Sequence, residues 1–354
     1  MRKDIGSIYD VSINELSKDF ESSFLIEKHF LFSLCREALF VIASSKDCNK
    51  KVLLPAYTCD TVIAPFRQLG WECHYYAINK ELRIDTESFI ASFDNVLPSI
   101  VVAHPYYGMS FLQEEISTLK YANENGAEIV VDLTQSIFSE QKIGFVDYYV
   151  GSYRKWFPIP DGGFLCKNSD NKLDDIIFPK EENTVFVSTQ FSAMILRNMY
   201  FNTDNEQVKA VSRNLTKAAD IYSEEKITPH LMSNISKNIM QKADVERNKK
   251  QRFINYKYLF ENIKQTTNIS FVNNDLDSLR SAPLYFPIYV KNRNKLQKKL
   301  IEEHIYAPVL WPIEDNNVLI NKDIEEIYNT ILVIPIDQRY GIKDMERIVN
   351  VINN

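Results

Sequence analysis

The segment Gly151–Leu165, GSYRKWFPIPDGGFL, sets a serine, Ser152, three residues before a lysine, Lys155, and then adds two prolines, an aspartate and a glycine pair. It reads neither as a helix nor as a surface loop. A lysine sheltered at a strand end has its charged form disfavoured, which lowers its pKa. The neutral amine is then a nucleophile toward an aldehyde, with which it forms a Schiff base. Two residues elsewhere fit the same kind of chemistry. Asp132 follows the apolar run EIVV directly, a costly place for a carboxylate that lacks a cationic partner. His104 follows SIVVA in the same way.

The elements that would position these groups alternate along the chain. KVLLP, ECHYYAI, SIVVAHP, AEIVVD, YYVGS and GGFLC read as short apolar strands. Between them, TCDTVIAPFRQLG, DTESFIASF and LQEEISTLKYANENG have helical spacing, the second with an Asp cap and the third with Gly126 as its stop. Strand and helix in alternation predict βαβ units and a mostly parallel sheet. The continuous rather than alternating apolar character of the strands fits burial on both faces. Ligands in such sheets lie beyond the carboxyl ends of the strands. Those ends carry Tyr57, Cys59, His104, Tyr106, Tyr107, Asp132, Gln135, Ser152 and Lys155, so polar and aromatic groups gather at one edge.

Residues 170–245 are helix-rich and polar. Beyond them VERNKKQRFINYKYLFENI predicts a long helix, APLYFPIYV, NKLQKKLIEEH and YAPVLWP a strand, a helix and a strand, and ILVIPID with KDMERIVNVINN a closing strand and helix. The expected division is a large domain over residues 1–245, including an N-terminal segment 1–30, and a small α/β domain over 246–354.

Pyridoxal phosphate is the prime aldehyde cofactor. It needs a carboxylate beside its ring nitrogen to keep the ring an electron sink, and a phosphate cup of hydroxyls and helix N-terminal N–H groups. Asp132 and Ser152 are of the right types, and FSLCREALFVIA predicts a helix starting near Ser33 whose first turn could face a phosphate. The plain alternatives are a helix-capping aspartate and an ordinary turn.

Taken together, VVDLTQS, GSYRKW and PDGGFL resemble fold-type I pyridoxal-phosphate-dependent aminotransferases, and within them the DegT-like group, mostly nucleotide-sugar aminotransferases. LLPAYTCDTV, VVAHPYYGMSFLQEEI and ILVIPIDQRYGIKDMERIV extend the likeness over most of the chain. The resemblance implies an aspartate-aminotransferase-like three-layer large domain and a small C-terminal domain. It implies that Lys155 carries the cofactor and moves protons, that Asp132 pairs with the ring nitrogen and that Gln135 contacts the phenolic oxygen. Ser152 would bind the phosphate, together with backbone N–H groups of Cys35 and Arg36, although a small residue such as glycine is usual near Cys35. Cys59 stands near the position of the ring-stacking residue, for which Tyr57 or a tyrosine of PYYG could substitute. His104, Tyr106, Tyr107, Arg154 and Trp311 are the candidate substrate contacts, with Arg154 and Arg339 the arginines available to a carboxylate. The resemblance also implies a homodimer whose partner chain helps to hold the phosphate, with Asn234 in PHLMSNIS as the candidate for that contact. A lysine rather than a histidine at position 155 points to transamination rather than dehydration. The expected reaction moves an amino group from glutamate or a similar donor to a keto-sugar nucleotide, as in surface-polysaccharide biosynthesis. An amino acid or other keto acceptor, and a non-catalytic scaffold that keeps the fold, are the alternatives.

Composition narrows the field further. The 354 residues carry a formal charge of −6, which argues against a nucleic-acid partner because phosphate contacts need clustered Lys and Arg. The five cysteines are scattered without a CxxC pair and read as reduced thiols of a cytoplasmic protein. MRKDIGSIYDVS lacks a signal-peptide core, and no apolar run approaches the ~18 residues of a membrane span. No metal-ligand cluster and no GxGxxG is present. Ser-x-x-Lys also marks penicillin-binding serine enzymes, but the SDN string at Ser169–Asn171 follows Lys155 too soon and reads as a polar turn.

Overall fold

The structure, a computed structural model, describes residues 3–12, 29–46, 49–138, 142–168, 178–279, 281–313 and 316–354. The SDN string and Cys48 lie outside them. Seven strands form the main sheet: β2 (Phe30–Phe32), β3 (Lys51–Pro55), β4 (Glu72–Tyr76), β5 (Ile100–Ala103), β6 (Glu128–Asp132), β7 (Tyr148–Ser152) and β8 (Gly163–Lys167). Their order is β2-β8-β7-β6-β5-β3-β4. The β3, β4, β5, β6 and β7 pairings are parallel, and β8 runs antiparallel to both its neighbours. Every residue of β5 and β7 is buried, as expected of strands covered on both faces.

Helices α1 (Cys35–Ser44), α2 (Asp60–Gln68), α3 (Thr86–Val96) and α4 (Gln113–Glu124) connect these strands. Asp85 caps α3 by accepting from the Ser88 N–H, as its position predicts. Gly126 follows α4 with a positive φ of 94°, a conformation glycine adopts without steric cost. Because the connections are crossovers, β2, β3, β5, β6 and β7 all end at one edge, and the segments leaving them meet there.

After β8 the chain forms two long helices, α5 (Thr184–Thr203) and α6 (Glu206–Glu225), then α7 (Asn234–Gln241) and α8 (Val245–Asn262). A second sheet of order β12-β10-β9 follows, built from β9 (Ile269–Phe271), β10 (Tyr285–Val290) and β12 (Ile331–Pro335), with α9 (Arg293–Glu302), α10 (Lys322–Thr330) and α11 (Ile342–Asn353) around it. YAPVLWP differs from its expectation. Only Ile305–Tyr306 forms a strand, β11, because Pro308 has no N–H with which to continue a ladder. Its partner is β1 (Ile5–Gly6), so the start of the chain packs into the second core beside Leu259, Phe286 and Ile334. No helix among the described residues is long and apolar enough to cross a membrane.

Buried charge fastens the N-terminal strand to the helical hairpin α5–α6. Asp4 is fully buried and pairs with Arg197 at 2.7 Å and Lys209 at 3.0 Å. Burial pushes its carboxyl pKa up, but the Lys209 hydrogen bond and the two cations outweigh burial and hold it below the usual range.

One glycine governs how the helices meet the sheet edge. A Cβ on Gly163 would lie 2.4 Å from the Leu34 carbonyl carbon and 2.5 Å from the Cys35 nitrogen. Backbone cannot yield as a flexible side chain can, so Gly163→Ala is expected to cost about 1–3 kcal/mol by overpacking. Gly144→Ala, where nothing lies within 4 Å, should leave stability close to wild type. Chemical denaturation of both variants checks this; equal midpoints would remove Gly163 from the account.

Candidate active site

The strand ends enclose a cavity of about 110 Å³ lined by Cys35, Arg36, Cys59, His104, Asp132, Thr134, Gln135, Ser152, Arg154, Lys155 and Trp311, among others. Thus nine of the sequence-predicted residues of the large sheet come together, and Trp311 joins them from the segment after β11. The remaining expectations fall elsewhere.

The Lys155 turn is a single 3-10 turn, Tyr153–Lys155, directly after β7. Three contacts hold it. The Tyr153 N–H donates to the Gly162 carbonyl at 2.8 Å, and the Gly162 N–H donates to the Ser33 carbonyl at 2.7 Å. The Trp156 Nε1–H donates to the Thr134 carbonyl at 2.8 Å. The first two tie the turn to the start of α1, and the third ties it to the loop after Asp132. Further back, the fully buried Asp161 carboxylate accepts from the Ser233 N–H at 2.9 Å, from the Ser233 hydroxyl at 2.6 Å and from the Ser236 hydroxyl. Ser233 is the N-cap of α7, where a negative charge is favoured.

Lys155 makes no hydrogen bond or ion pair with any described residue. Its side chain reaches water through the cavity while protein atoms crowd it. That crowding, and next the charge of Arg154, push its ammonium pKa below the ordinary value. Arg154 has Asp220 of α6 at 3.8 Å and lies 5.5 Å from the Phe186 ring centre. Arg36 donates to the Ser223 carbonyl, also on α6, at 3.3 Å.

Asp132 ends β6 with 5% of its surface exposed. Its Oδ1 accepts from the Thr134 N–H at 2.8 Å, and its Oδ2 stands 3.9 Å from Nδ1 of His104. The other ring nitrogen of His104 is 2.7 Å from the Thr58 hydroxyl. Burial pushes the His104 pKa down against the pull of Asp132. His104, expected among the substrate contacts, therefore stands chiefly as a partner of Asp132. Gln135 accepts from the Tyr107 N–H at 3.1 Å. The Ser152 hydroxyl has no partner among the described residues and faces the cavity. Burial pushes the Cys35 thiol far up, which makes it a packing group rather than a nucleophile.

Tyr57, Tyr106 and Tyr107 lie behind the cavity wall. The Tyr57 and Tyr107 hydroxyls are 3.4 Å apart, and the Tyr106 hydroxyl donates to the Tyr57 carbonyl at 2.5 Å. They form an aromatic floor on which Trp311 rests, 4.7 Å from Tyr57 between ring centres. Asn234 is exposed as the first residue of α7, and its N–H donates to Glu182 at 3.0 Å. Its neighbours Ser233 and Ser236 face inward and hold the lysine loop. Arg339 is bound by its own chain: Asp337 at 2.7 Å, the Ile8 carbonyl at 2.8 Å and the Ser7 carbonyl at 3.2 Å.

Thr134, Thr61 and Tyr285 line the cavity without having been expected there. Thr134 was findable, since it lies between Asp132 and Gln135. Tyr285 belongs to the second sheet and had no local signal. The α5–α6 hairpin carried none either.

The donor set can be tested against a phosphorylated aldehyde cofactor. The α1 N-cap, Leu34, offers no side-chain cap to the first turn, so the N–H groups of Cys35 and Arg36 are left for a ligand or water. Gly163 lets that turn sit against β8, and the Ser152 hydroxyl faces the cavity. With a buried carboxylate, a free hydroxyl and a free amine around one cavity, the residues fit the group.

No family model and no curated protein matches the sequence. Solved structures do match. PseC of Helicobacter pylori, an aminotransferase involved in the biosynthesis of pseudoaminic acid, superposes with a TM-score of 0.66 at 12% identity, over 99% of this chain and 98% of that one. DesI, solved in the presence of its TDP-sugar product, gives 0.65 at 14% identity over 92% and 79% of the two chains. NtdA of Bacillus subtilis, solved with bound cofactor PMP, gives 0.65 at 13% identity over 92% and 72%. At these identities the likeness establishes the fold: the chain has the architecture of these aminotransferases, a mixed α/β fold around a seven-stranded, mostly parallel sheet.

Proposed function

We propose that the protein is a pyridoxal-phosphate-dependent aminotransferase that transfers an amino group from glutamate or a similar donor to a keto-sugar nucleotide. The observation that carries this reading is the convergence of Lys155, Asp132 and Ser152 on one cavity at the carboxyl ends of β6 and β7. The solved structures that share the fold include aminotransferases with a TDP-sugar product and with bound PMP, which supports the choice of acceptor and cofactor.

Bound at this site, pyridoxal phosphate supplies an aldehyde that exchanges C=N bonds with amines and a ring that withdraws electrons. The chain's residues supply the rest. Lys155 Nζ serves as nucleophile when neutral and takes up or delivers a proton close to the reacting carbon. Its lowered pKa keeps more of the amine neutral near neutral pH. Asp132 holds a negative charge where the ring nitrogen must stay protonated, and His104 and the Thr134 N–H hold Asp132 in place. The N–H groups of Cys35 and Arg36, the Arg36 side chain and the Ser152 hydroxyl are suited to the phosphate. Gln135, fixed by the Tyr107 N–H, is suited to the phenolic oxygen. Trp311 covers the mouth and excludes water.

Two outcomes are expected. The protein mixed with pyridoxal phosphate should show an absorbance band that Lys155→Ala lacks, and borohydride should lock the group onto the Lys155 peptide. Glutamate should then bleach the band of the unreduced protein. No Lys155-dependent band would end the enzyme reading, and a band that no amino donor alters would end the transamination reading. Separately, Arg154→Gln removes a cation that lowers the Lys155 pKa. Since the neutral amine reacts, the pH midpoint for borohydride trapping of pyridoxal at Lys155 should move up in this variant. An unchanged midpoint would show that burial alone sets the pKa.

A further inference from the structure

The hairpin α5–α6 carries residues that repeat at helical spacing on its inner side. They are Gln190, Met194 and Arg197 on α5, and Arg213, Thr216 and Asp220 on α6. Intervals of three and four residues place each set on one helix face. Both faces line a second cavity, of about 520 Å³, which shares Arg154 and Lys155 with the first. The wall facing Lys155 thus comes from its own chain.

Charge in this cavity is unbalanced. Arg197 and Lys209 share Asp4, Arg339 has Asp337, and Arg154 has Asp220. Arg252 is satisfied by Gln338, the Leu284 carbonyl and Tyr9. Lys155 and Arg213 have no carboxylate partner among the described residues. Two buried polar atoms on α5 also lack partners, Nε of Arg197 and Oε1 of Gln190, in residues only 1% and 4% exposed. A cavity with excess positive charge concentrates anions.

We propose that the hairpin cavity binds an anionic group of the substrate, phosphoryl or carboxylate, with Arg213 as its main cation. That the anion belongs to a substrate rests on the aminotransferase reading; the anion site itself rests on the hairpin. It assigns to α5–α6 the task of orienting the substrate's charged end while its carbonyl lies near Lys155.

The test is calorimetric titration at low salt of the full chain with inorganic pyrophosphate and, separately, with 2-oxoglutarate. Wild type, Arg213→Ala and Ser152→Ala are compared. Arg213 is exposed on α6, so its truncation should leave the thermal melt unchanged. At least one anion should bind, tenfold or more weakly to Arg213→Ala, and with affinity close to wild type to Ser152→Ala. Preference for pyrophosphate identifies the group as phosphoryl, and preference for 2-oxoglutarate identifies it as carboxylate. Binding that falls as much with Ser152→Ala as with Arg213→Ala would put the anion in the smaller cavity and overturn the proposal, as would no binding of either. Arg213-dependent binding without trapping of pyridoxal phosphate at Lys155 would overturn the aminotransferase reading alone.

Discussion

Asp161 is a carboxylate with no exposed surface, and its hydrogen bonds to Ser233 and Ser236 hold the loop between β7 and β8 against the N-terminus of α7. Burial pushes its pKa up, and the serine hydrogen bonds pull against that. A buried carboxylate is tolerated only when its acceptor capacity is met, so loop and helix must come together for either to be stable. The rest of the site is built on that contact. With the loop fixed, Gly162 receives the Tyr153 N–H and donates to Ser33, and Gly163 admits the α1 start at a distance no side chain would allow. Lys155, Ser152 and the first turn of α1 then occupy one small volume.

The electrostatics of the two cavities form one system. Burial and the charges of Arg154 and Arg36 lower the proton affinity of Lys155, and Asp220 of the hairpin offsets them only in part. Asp132 lines the same cavity, backed by a histidine that burial keeps from charging readily. Cationic and anionic groups thus line one cavity at the sheet edge. The hairpin is tied to the N-terminal strand through Asp4.

Much of this was legible in the chain. The strands over Lys51–Pro55, Ile100–Ala103, Glu128–Asp132, Tyr148–Ser152 and Gly163–Lys167 were readable because continuous apolar runs bounded by polar turns have few other uses. The placing of Asp132, Ser152 and Lys155 followed from strand ends alone. Other features left no local trace. The tyrosines of PAYT and HPYYG read as cofactor or substrate contacts, yet their rings pack together behind the cavity wall. Whether an aromatic residue after a strand faces the ligand or the core depends on what packs above it. Asn234, which the resemblance puts forward as a partner-chain phosphate contact, is exposed at a helix start, while Ser233 and Ser236 beside it face inward.

By itself the sequence determined the alternation of strand and helix from Lys51 to Lys167, the mostly parallel sheet and the edge at which polar groups collect, because periodicity and turn chemistry are local properties of the chain. It also determined which groups can react, since a lone lysine, a post-strand aspartate and a nearby serine are types with definite chemistry. Tertiary structure alone decided which of those groups share a cavity, which arginines are already taken by carboxylates, and which cavity the polar stretch before residue 245 lines. Those outcomes depend on contacts between segments far apart in the chain, such as Asp4 with Arg197, Asp161 with Ser233 and Trp311 with Tyr57. The energy of such a contact exists only once both partners have been brought out of water and into register.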